Sequence, residues 1–217
     1  MKNLNVLFIV IMLLIVPRNI VSAQDTEPAN DEILNEEEMV NDESEVPNED
    51  GYAQNDALET DDENVTASAF ALMNPTDEKS SLVGEVEFLE TPEGVNIFAS
   101  FSNVPNPGKH GIHIHEKGSC EEAGNGAGGH LNPDGSPHGF LPDNGPAKAH
   151  TGDMGNIEID DQGEGSVSVF LPGVTLTEGP HSLAGKSVIL HEKEDDFGQP
   201  TGNAGGRIAC GVIELDE

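Results

Sequence analysis

Residues 110–115 read His-Gly-Ile-His-Ile-His, and this stretch is the strongest indicator of the fold. Side chains alternate between the two faces of a β-strand, so a strand here would place His113 and His115 on one face. Ile112 and Ile114 would then face an apolar interior. The stretch therefore predicts a strand that presents two imidazoles together on the side opposite the core.

The region from residue 67 onward continues in short alternating or β-rich runs that are broken by turn residues. Clusters such as 91–94 and 160–163 have the composition of hairpin turns, and no long helical period intervenes. We expect an all-β domain, a sandwich or barrel of about eight strands. The predicted strands are 69–73, 82–89, 95–101, 111–115, 157–159, 167–171, 187–191 and 208–215.

Two segments do not have the pattern of strands. Residues 117–155 are rich in Gly, Pro, Asn and His, and residues 192–206 are also rich in Gly. The first segment is far longer than ordinary connections, which indicates that it is either functional or disordered. A long loop inside a compact domain needs something to hold it, and the candidates are Cys120 and a metal ion.

Three parts are expected along the chain. Residues 1–23 have a basic start, an apolar run and a small-residue cleavage site, which is the pattern of a secretory signal peptide. A membrane anchor is the alternative, although an apolar run of about 11 residues is short for a bilayer span. Residues 24–66 hold 17 acidic and no basic residues and are expected to form a disordered linker, which leaves 67–217 as one compact domain. We therefore expect an exported protein, either periplasmic or extracellular.

The charge of the chain excludes some partners. Without residues 1–23 it carries 7 basic and 41 acidic residues, a formal charge of −34. Such a field repels nucleic acids and anionic membranes. We expect no nucleic-acid partner and no membrane span once the signal is removed.

Cys120 and Cys210 are the only cysteines of the chain. In an exported protein an isolated pair most simply forms one disulfide. Closing a loop of about 90 residues would stabilise the fold by about 4 kcal/mol. Metal ligation by the two thiolates is the alternative.

The eight histidines are the candidates for chemistry, because a Gly-rich chain with few aromatics does not need them for packing. Three imidazoles and a carboxylate make a tetrahedral set suited to zinc, and three or four imidazoles near a plane suit copper(II). A histidine that served both ions would bridge them through its two ring nitrogens. The candidates are His130, His138, His150 and Asp153 in the first loop, and His113, His115 and His191 on strands or strand ends.

Six stretches of the sequence resemble the copper/zinc superoxide dismutase family, in order and at family-like spacing, across residues 67–217. They are HGIHIHE at 110–116, GGHLNP at 128–133, HG at 138–139, HTGDMGN at 150–156, HEKEDD at 191–196 and GNAGGRIACG at 202–211. The chain looks like a secreted or periplasmic, bacterial-like member. The resemblance implies an eight-stranded Greek-key β-sandwich or barrel in which the two long loops are functional.

The resemblance also implies a site for two metal ions, copper and zinc. Its copper ligands would be His113, His115, His130 and His191. Its zinc ligands would be His130, His138, His150 and Asp153, with His130 as a bridge between the ions.

Further positions match family roles. By the resemblance, Asp195 links one ligand of each metal, Arg207 attracts and orients the anionic substrate, and His110 is a structural histidine near the copper strand. Cys120 and Cys210 match the family disulfide.

The implied reaction is the dismutation of superoxide to O2 and H2O2 by alternate reduction and oxidation of copper, with zinc as a structural ion. His130 and Arg207 would be the catalytic side chains: the first takes up and returns a proton, and the second supplies a fixed cationic donor for the anion. The alternative is a non-enzymatic module of the same fold that binds zinc or copper, or carries copper to a partner. Superoxide is the expected small-molecule substrate, and the protein is expected to be a monomer or a homodimer.

The second loop departs from many family members. It is shorter, and Gln199 and Pro200 stand where basic side chains often lie, so Arg207 is expected to be the only nearby side-chain cation. We expect the acidic surface to work against the approach of superoxide. His181 and Asp196 match no metal position and are expected to be an ordinary turn residue and a solvated acid.

Overall fold

The computed structural model of the protein describes residues 64–217. The predicted signal peptide, 1–23, and all but the last three residues of the predicted linker, 24–66, lie outside the described residues. Within the described part, no helix has the length and apolar character needed to cross a membrane.

The described chain is built from antiparallel β-strands joined by loops, as the alternating sequence pattern predicted. Eight strands form one sheet, and a ninth of two residues pairs with the first. The strands are β1 (Ala67–Pro75), β2 (Val83–Thr91), β3 (Gly94–Ser102), β4 (Gly108–His115), β5 (Asp153–Ile159), β6 (Gly165–Pro172), β7 (Ser187–His191), β8 (Arg207–Val212) and β9 (Glu214–Leu215).

The sheet curls into a nearly closed barrel. Its hydrogen-bonded strand order is β5-β4-β7-β8-β1-β2-β3-β6. The two outermost strands, β5 and β6, follow one another in the chain through a tight turn in which the Asp160 N–H donates to Glu164 O at 2.8 Å. β3 pairs with β6 and β4 pairs with β7, so the connections cross between strands that are not consecutive, as in a Greek key. The predicted all-β, eight-stranded barrel is confirmed.

Alternating apolar side chains fill the interior of the barrel. Along β3, Val95 and Ile97 are buried on the inner face. On β4, Ile112 and Ile114 belong to the same apolar core, whereas the histidine that follows each of them does not. The alternation predicted for residues 110–115 therefore aims the imidazoles away from the core packing.

The fifth strand begins earlier than the sequence predicted. Its first residue, Asp153, already pairs with His113 on β4 and lies inside the predicted loop 117–155. The Asp-Met-Gly-Asn sequence at the start of β5 has no apolar alternation, so periodicity alone did not predict strand there.

The last predicted strand, 208–215, is divided at Ile213. The Ile213 N–H donates to Lys186 O and its carbonyl oxygen accepts from the Gly185 N–H, both at 2.9 Å. Because these bonds turn the backbone of Ile213 toward the loop before β7, β8 ends at Val212 and β9 starts afresh at Glu214.

The first long loop is held to the barrel at several points. It contains one 3-10 turn, Asn125–Ala127, and one turn of α-helix, α1 (Leu141–Asn144). Leu131 and Leu141 from this loop are buried in the core. Cys120 forms a disulfide with Cys210 on β8, which confirms the predicted pairing and ties the start of the loop to the last long strand.

Gly152 marks the closest approach of this loop to β4. Its carbonyl oxygen accepts from the Ile114 N–H at 2.9 Å, and its N–H donates to Leu131 O at 3.0 Å. A Cβ on Gly152 would overlap the carbonyl group of Ile114. Only glycine allows this contact, which places Asp153 directly beside the histidine strand.

Gly152→Ala is expected to lower the free energy of unfolding of the metal-free protein by about 1–3 kcal/mol, the usual cost of overpacking. The added methyl group must push the Ile114 backbone away from the loop. Urea denaturation measures the change, with Gly129→Ala as the matched control, because a Cβ on Gly129 meets nothing within 4 Å. Equal losses of stability in the two variants would contradict this account.

Candidate metal centre

Four histidines from two strands and a loop converge at one point on the barrel. His113 and His115 lie on β4, and His191 is the last residue of the neighbouring strand β7. His130, in the first loop, pairs with His115 through an isolated β-bridge. These four residues, here called the four-histidine group, are all buried.

The rings of the four-histidine group are close enough to share one ion. The ring centroids are 4.2 Å apart for His113 and His130, 5.0 Å for His115 and His130, and 5.6 Å for His115 and His191. One nitrogen from each ring lies within 4.8 Å of a nitrogen from every other ring. The four nitrogens therefore surround a common point.

A second group lies beside the first and is here called the loop group: His130, His138, His150 and Asp153. Asp153 Oδ1 lies 3.0 Å from His130 Nδ1 and 3.1 Å from His150 Nδ1. Its other oxygen, Oδ2, lies 2.9 Å from His138 Nδ1 and also accepts the N–H groups of Gly139 and His150 at 2.9 Å. Three imidazoles and one carboxylate are thus drawn together.

His130 belongs to both groups. Its Nδ1 faces Asp153 and lies 3.3 Å from His150 Nδ1. The other nitrogen, Nε2, is at the opposite end of the same ring and is available to the four-histidine group. The two groups therefore share the imidazole of His130.

The residues present fit two metal ions. Among the described residues, His113 Nδ1, His115 Nε2, His138 Nδ1 and both ring nitrogens of His191 are buried without a hydrogen-bond partner. His138 Nδ1 is near Asp153 Oδ2 but out of hydrogen-bond alignment. Buried polar atoms without partners are costly, and coordination would satisfy them. Four imidazole nitrogens suit copper(II), and three with a carboxylate suit zinc.

In several of these rings, the nitrogen that faces away from the proposed ion position contacts an oxygen of the protein. Asp195, fully buried, places Oδ2 2.7 Å from His113 Nε2 and 3.0 Å from His138 Nε2. It thus links one histidine of each group. His115 Nδ1 donates to Gly128 O at 3.0 Å. Such contacts fix the tautomer and the orientation of a ligand ring.

Asp195 is itself held by the barrel. Its N–H donates to Asn156 Oδ1 at 2.7 Å, and Asn156 Nδ2 donates to Asp195 O at 3.0 Å. The Phe197 N–H donates to Asp195 Oδ1 at 2.8 Å. Asn156 lies on β5, so the strand that begins with Asp153 also positions the second carboxylate.

Sequence reasoning missed three residues that support His138. The Gln199 side chain accepts the His138 N–H at 2.9 Å and donates to His138 O at 2.8 Å. The Phe197 ring stacks on the His138 ring at 6.4 Å. Gly202 has φ 75°, and a Cβ there would overlap Asp195. The Gly-rich loop could have indicated Gly202, but a side chain that bonds only to backbone leaves no signal in the sequence.

Arg207 lies at the edge of the four-histidine group. Its Nη1 donates to Gly124 O and its Nη2 donates to Gly128 O, both at 2.6 Å. Gly128 O is the same oxygen that accepts from His115. Partial burial lowers the pKa of Arg207, yet a guanidinium stays charged throughout the physiological range.

Two further residues have defined contacts. His110 Nδ1 lies 2.8 Å from His191 O, and His110 Nε2 lies 2.8 Å from Asn106 O. This ring therefore contacts the backbone of the four-histidine group. Asp196 is exposed, as expected, and accepts the Gly198 N–H at 2.8 Å, which stabilises the turn after Asp195.

Comparison with known proteins places this arrangement among named relatives. The family model described as copper/zinc superoxide dismutase (SODC) matches residues 82–213. Superoxide dismutase (Cu-Zn) 2 of Aquifex aeolicus (strain VF5) is 42% identical over 141 residues, which are 62% of this chain and 81% of that protein. Extracellular superoxide dismutase (Cu-Zn) of Caenorhabditis elegans is 42% identical over 144 residues, 62% of this chain and 62% of that protein.

A solved structure has the same barrel. The crystal structure of the clock protein EA4 matches with a TM-score of 0.61 at 34% sequence identity. The match covers 69% of this chain and 95% of that chain.

Burial keeps three histidines of the four-histidine group neutral in the metal-free protein. Removal from water, with repulsion from neighbouring imidazoles, lowers the pKa of His115 from 6.5 to about 2 and that of His191 to about 3. Burial also lowers the pKa of His130 to about 4, despite its hydrogen bond to Asp153. Neutral imidazoles are the form that binds metal.

The pKa of His138 is shifted in the opposite direction. Burial alone would lower its pKa, but the adjacent carboxylates of Asp153 and Asp195 outweigh burial and raise the pKa from 6.5 to about 9. Burial would raise the pKa of both carboxyls, yet their hydrogen bonds to histidines hold it well below its usual range. In the metal-free protein, His138 is therefore a cation between two carboxylates.

The metal-free protein is expected to be most stable near pH 6.5, the ordinary histidine pKa. Below that pH, His115, His130 and His191 bind protons more readily in the unfolded chain than in the folded protein, because burial lowers their pKa. The free energy of unfolding therefore decreases as the pH falls toward about 4 and below. Above pH 6.5, the stabilisation that protonated His138 gives the folded state is lost as the pH rises through about 9. Urea denaturation between about pH 5 and about pH 9 measures the free energy of unfolding on both sides of the maximum.

The zinc-loaded protein serves as the control for the loss of stability at alkaline pH, because zinc takes the place of the His138 proton. Its free energy of unfolding should not fall between about pH 6.5 and about pH 9. A metal-free protein whose stability rises steadily over that interval would contradict the raised pKa of His138.

Proposed function

The chain belongs to the copper/zinc superoxide dismutase family, and we propose that its four-histidine group binds copper and its loop group binds zinc. Its reaction is the dismutation of superoxide to O2 and H2O2. The ligand assignment rests on one observation, two complete donor sets of different chemistry that meet at His130. No observation on the described residues favours the non-enzymatic alternative.

Bound copper supplies the redox chemistry, alternating between Cu(II) and Cu(I) while one superoxide is oxidised to O2 and the next is reduced to H2O2. We assign one of the two protons that H2O2 requires to His130 Nε2 and the other to solvent. The opposite nitrogen of the ring stays beside Asp153, so His130 can hold a proton at Nε2 without leaving its place.

An open cleft leads to the four-histidine group. Among the described residues that line it, Arg207 carries the only permanent positive charge. Two carbonyl oxygens clamp its guanidinium, which leaves its remaining N–H donors for an anion. We propose that Arg207 binds superoxide beside the copper site. The lining residues are His115, Gly129, His130, His191, Thr201, Asn203, Ala204, Gly205 and Arg207.

The domain organisation predicted from the sequence is part of the proposal. Residues 1–23 would direct export and be removed, 24–66 would form an acidic linker, and 67–217 would be the enzyme domain. The disulfide and the similarity to an extracellular relative support export to the periplasm or the extracellular space. Sedimentation of the purified protein distinguishes between the proposed monomer and homodimer.

His115→Ala is expected to lose copper and keep zinc, because His115 belongs only to the four-histidine group. His150→Ala is expected to lose zinc and keep copper, because His150 belongs only to the loop group. Metal analysis of the purified proteins measures both contents. Superoxide decay catalysed by His115→Ala should fall to the level of the metal-free protein.

The reciprocal design provides its own control, since each variant reports on the ion that the other one loses. Binding of a single metal by the wild-type protein would overturn the two-site assignment. Loss of both ions in both variants would show that the groups do not act as separate sites.

The rate of superoxide dismutation is expected to stay flat or rise as salt is added. Residues 67–217 contain 24 acidic and 7 basic residues, and salt screens their repulsion of an anion. Glu122 is exposed and lies two residues before Gly124, which holds Arg207. Glu122→Gln should therefore raise the rate at low ionic strength, as measured by superoxide decay at increasing salt.

Glu93→Gln is the matched control, because Glu93 is also exposed but lies in the turn between β2 and β3. Its rate should match that of the wild type at every salt concentration. A steep fall in the wild-type rate with added salt would instead mean that the cleft attracts superoxide despite the acidic surface.

A further inference from the structure

His181 lies outside the first long loop, here also called the metal-binding loop, and contacts it. The sequence predicted an ordinary turn residue, but its Nδ1 lies 2.8 Å from Thr151 Oγ1 and its Nε2 lies 3.5 Å from Asp134 Oδ2. The Thr151 hydroxyl donates to Nδ1 when the ring proton is on Nε2, the nitrogen that faces Asp134. His181 thus joins two points of the loop through one ring.

The two points lie in different halves of the metal-binding loop. Thr151 directly follows His150 and is two residues before Asp153. Asp134 lies between His130 and His138. Each half of the loop group is therefore within a few residues of a contact with the same outside ring.

The segment that carries His181 is firmly attached to the barrel. Leu176 and Leu183, on either side of it, are fully buried in the core. Thr175 pairs with Ser182 through an isolated bridge, and the Leu183 N–H donates to Thr175 O at 3.0 Å. His181 therefore projects from a fixed support.

Thr151 is the buried end of this contact. It is 5% exposed, so water has little access to replace His181 as the acceptor of its hydroxyl. Loss of the acceptor would leave a buried hydroxyl unsatisfied next to His150, and the backbone there would have to adjust. The geometry thus connects His181 to the position of a proposed zinc ligand without direct contact with the ion.

We propose that the Thr151–His181 hydrogen bond is a latch that holds the loop group in its zinc-binding arrangement and slows the release of zinc. This inference rests on the proposed zinc site. His181 acts as a positioning residue. Three of the four proposed copper ligands, His113, His115 and His191, lie on strands outside this loop, so copper retention depends on the latch less than zinc retention does.

The test uses the full chain loaded with copper and zinc, and follows zinc release into an excess of chelator. Thr151→Val keeps the shape of its side chain, His181→Phe keeps a planar ring, and each removes the bond. Both should release zinc about two- to tenfold faster, the change expected for one net hydrogen bond. Thr151→Ser keeps the hydroxyl and should release zinc at the wild-type rate.

Two further measurements separate a latch from general loosening. The variant with both substitutions should release zinc no faster than His181→Phe alone, because Thr151→Val then removes no further bond. Cobalt(II) in the zinc position should show an altered visible absorption spectrum in Thr151→Val and His181→Phe and an unaltered one in Thr151→Ser. Ser102→Ala, which removes a hydroxyl bonded to the Glu164 carboxylate outside both the first long loop and the segment that carries His181, is the control and should change nothing.

Several results would overturn the latch. Zinc release at the wild-type rate in Thr151→Val or His181→Phe would do so, as would fast release in Thr151→Ser. Equal acceleration of copper release would show that the fold as a whole has loosened. A wild-type chain that takes up no zinc would overturn the proposed zinc site and the latch with it, whereas normal zinc uptake with unchanged release overturns the latch alone.

Discussion

Two buried carboxylates, Asp153 and Asp195, hold the imidazoles of this centre in place. A buried imidazole that could rotate would present either nitrogen, and no defined cavity for an ion would exist. Asp195 removes that freedom from His113 and His138 by contacting Nε2 of both rings. Asp153 does the same for His130 and offers its oxygens to the loop group as well. Negative charge inside the protein thus decides where cations can bind.

The barrel supplies the rigidity that these carboxylates need. Asp153 opens strand β5, and Asn156 on the same strand fixes the backbone of Asp195. The proposed ligands come from strands β4, β5 and β7 and from the first long loop, which has little regular structure. This loop keeps its shape because the disulfide, buried leucines and the close approach of Gly152 to β4 attach it to the sheet.

Much of this could be predicted from the sequence, for reasons that differ between residues. Alternation at 110–115 predicted β4, because one face is buried in the core. The seven candidate ligands have side chains of distinctive chemistry at family-like spacing, and the structure brings all seven into two adjoining groups. The start of β5 was missed, because its pairing depends on β4 and not on its own apolar pattern. Gln199 and His181 were missed for a related reason: their contacts arise only after distant loops have folded together.

One backbone oxygen, that of Gly128, receives both the imidazole N–H of His115 and the guanidinium of Arg207. The Arg207 guanidinium and the His115 imidazole are therefore linked through this shared oxygen, while Gly124 O holds the other end of the guanidinium. A shift of this peptide would carry both side chains with it and preserve their spacing. The loop around Gly128 could therefore differ in length and charge without a change in the contact of these two side chains with their shared oxygen.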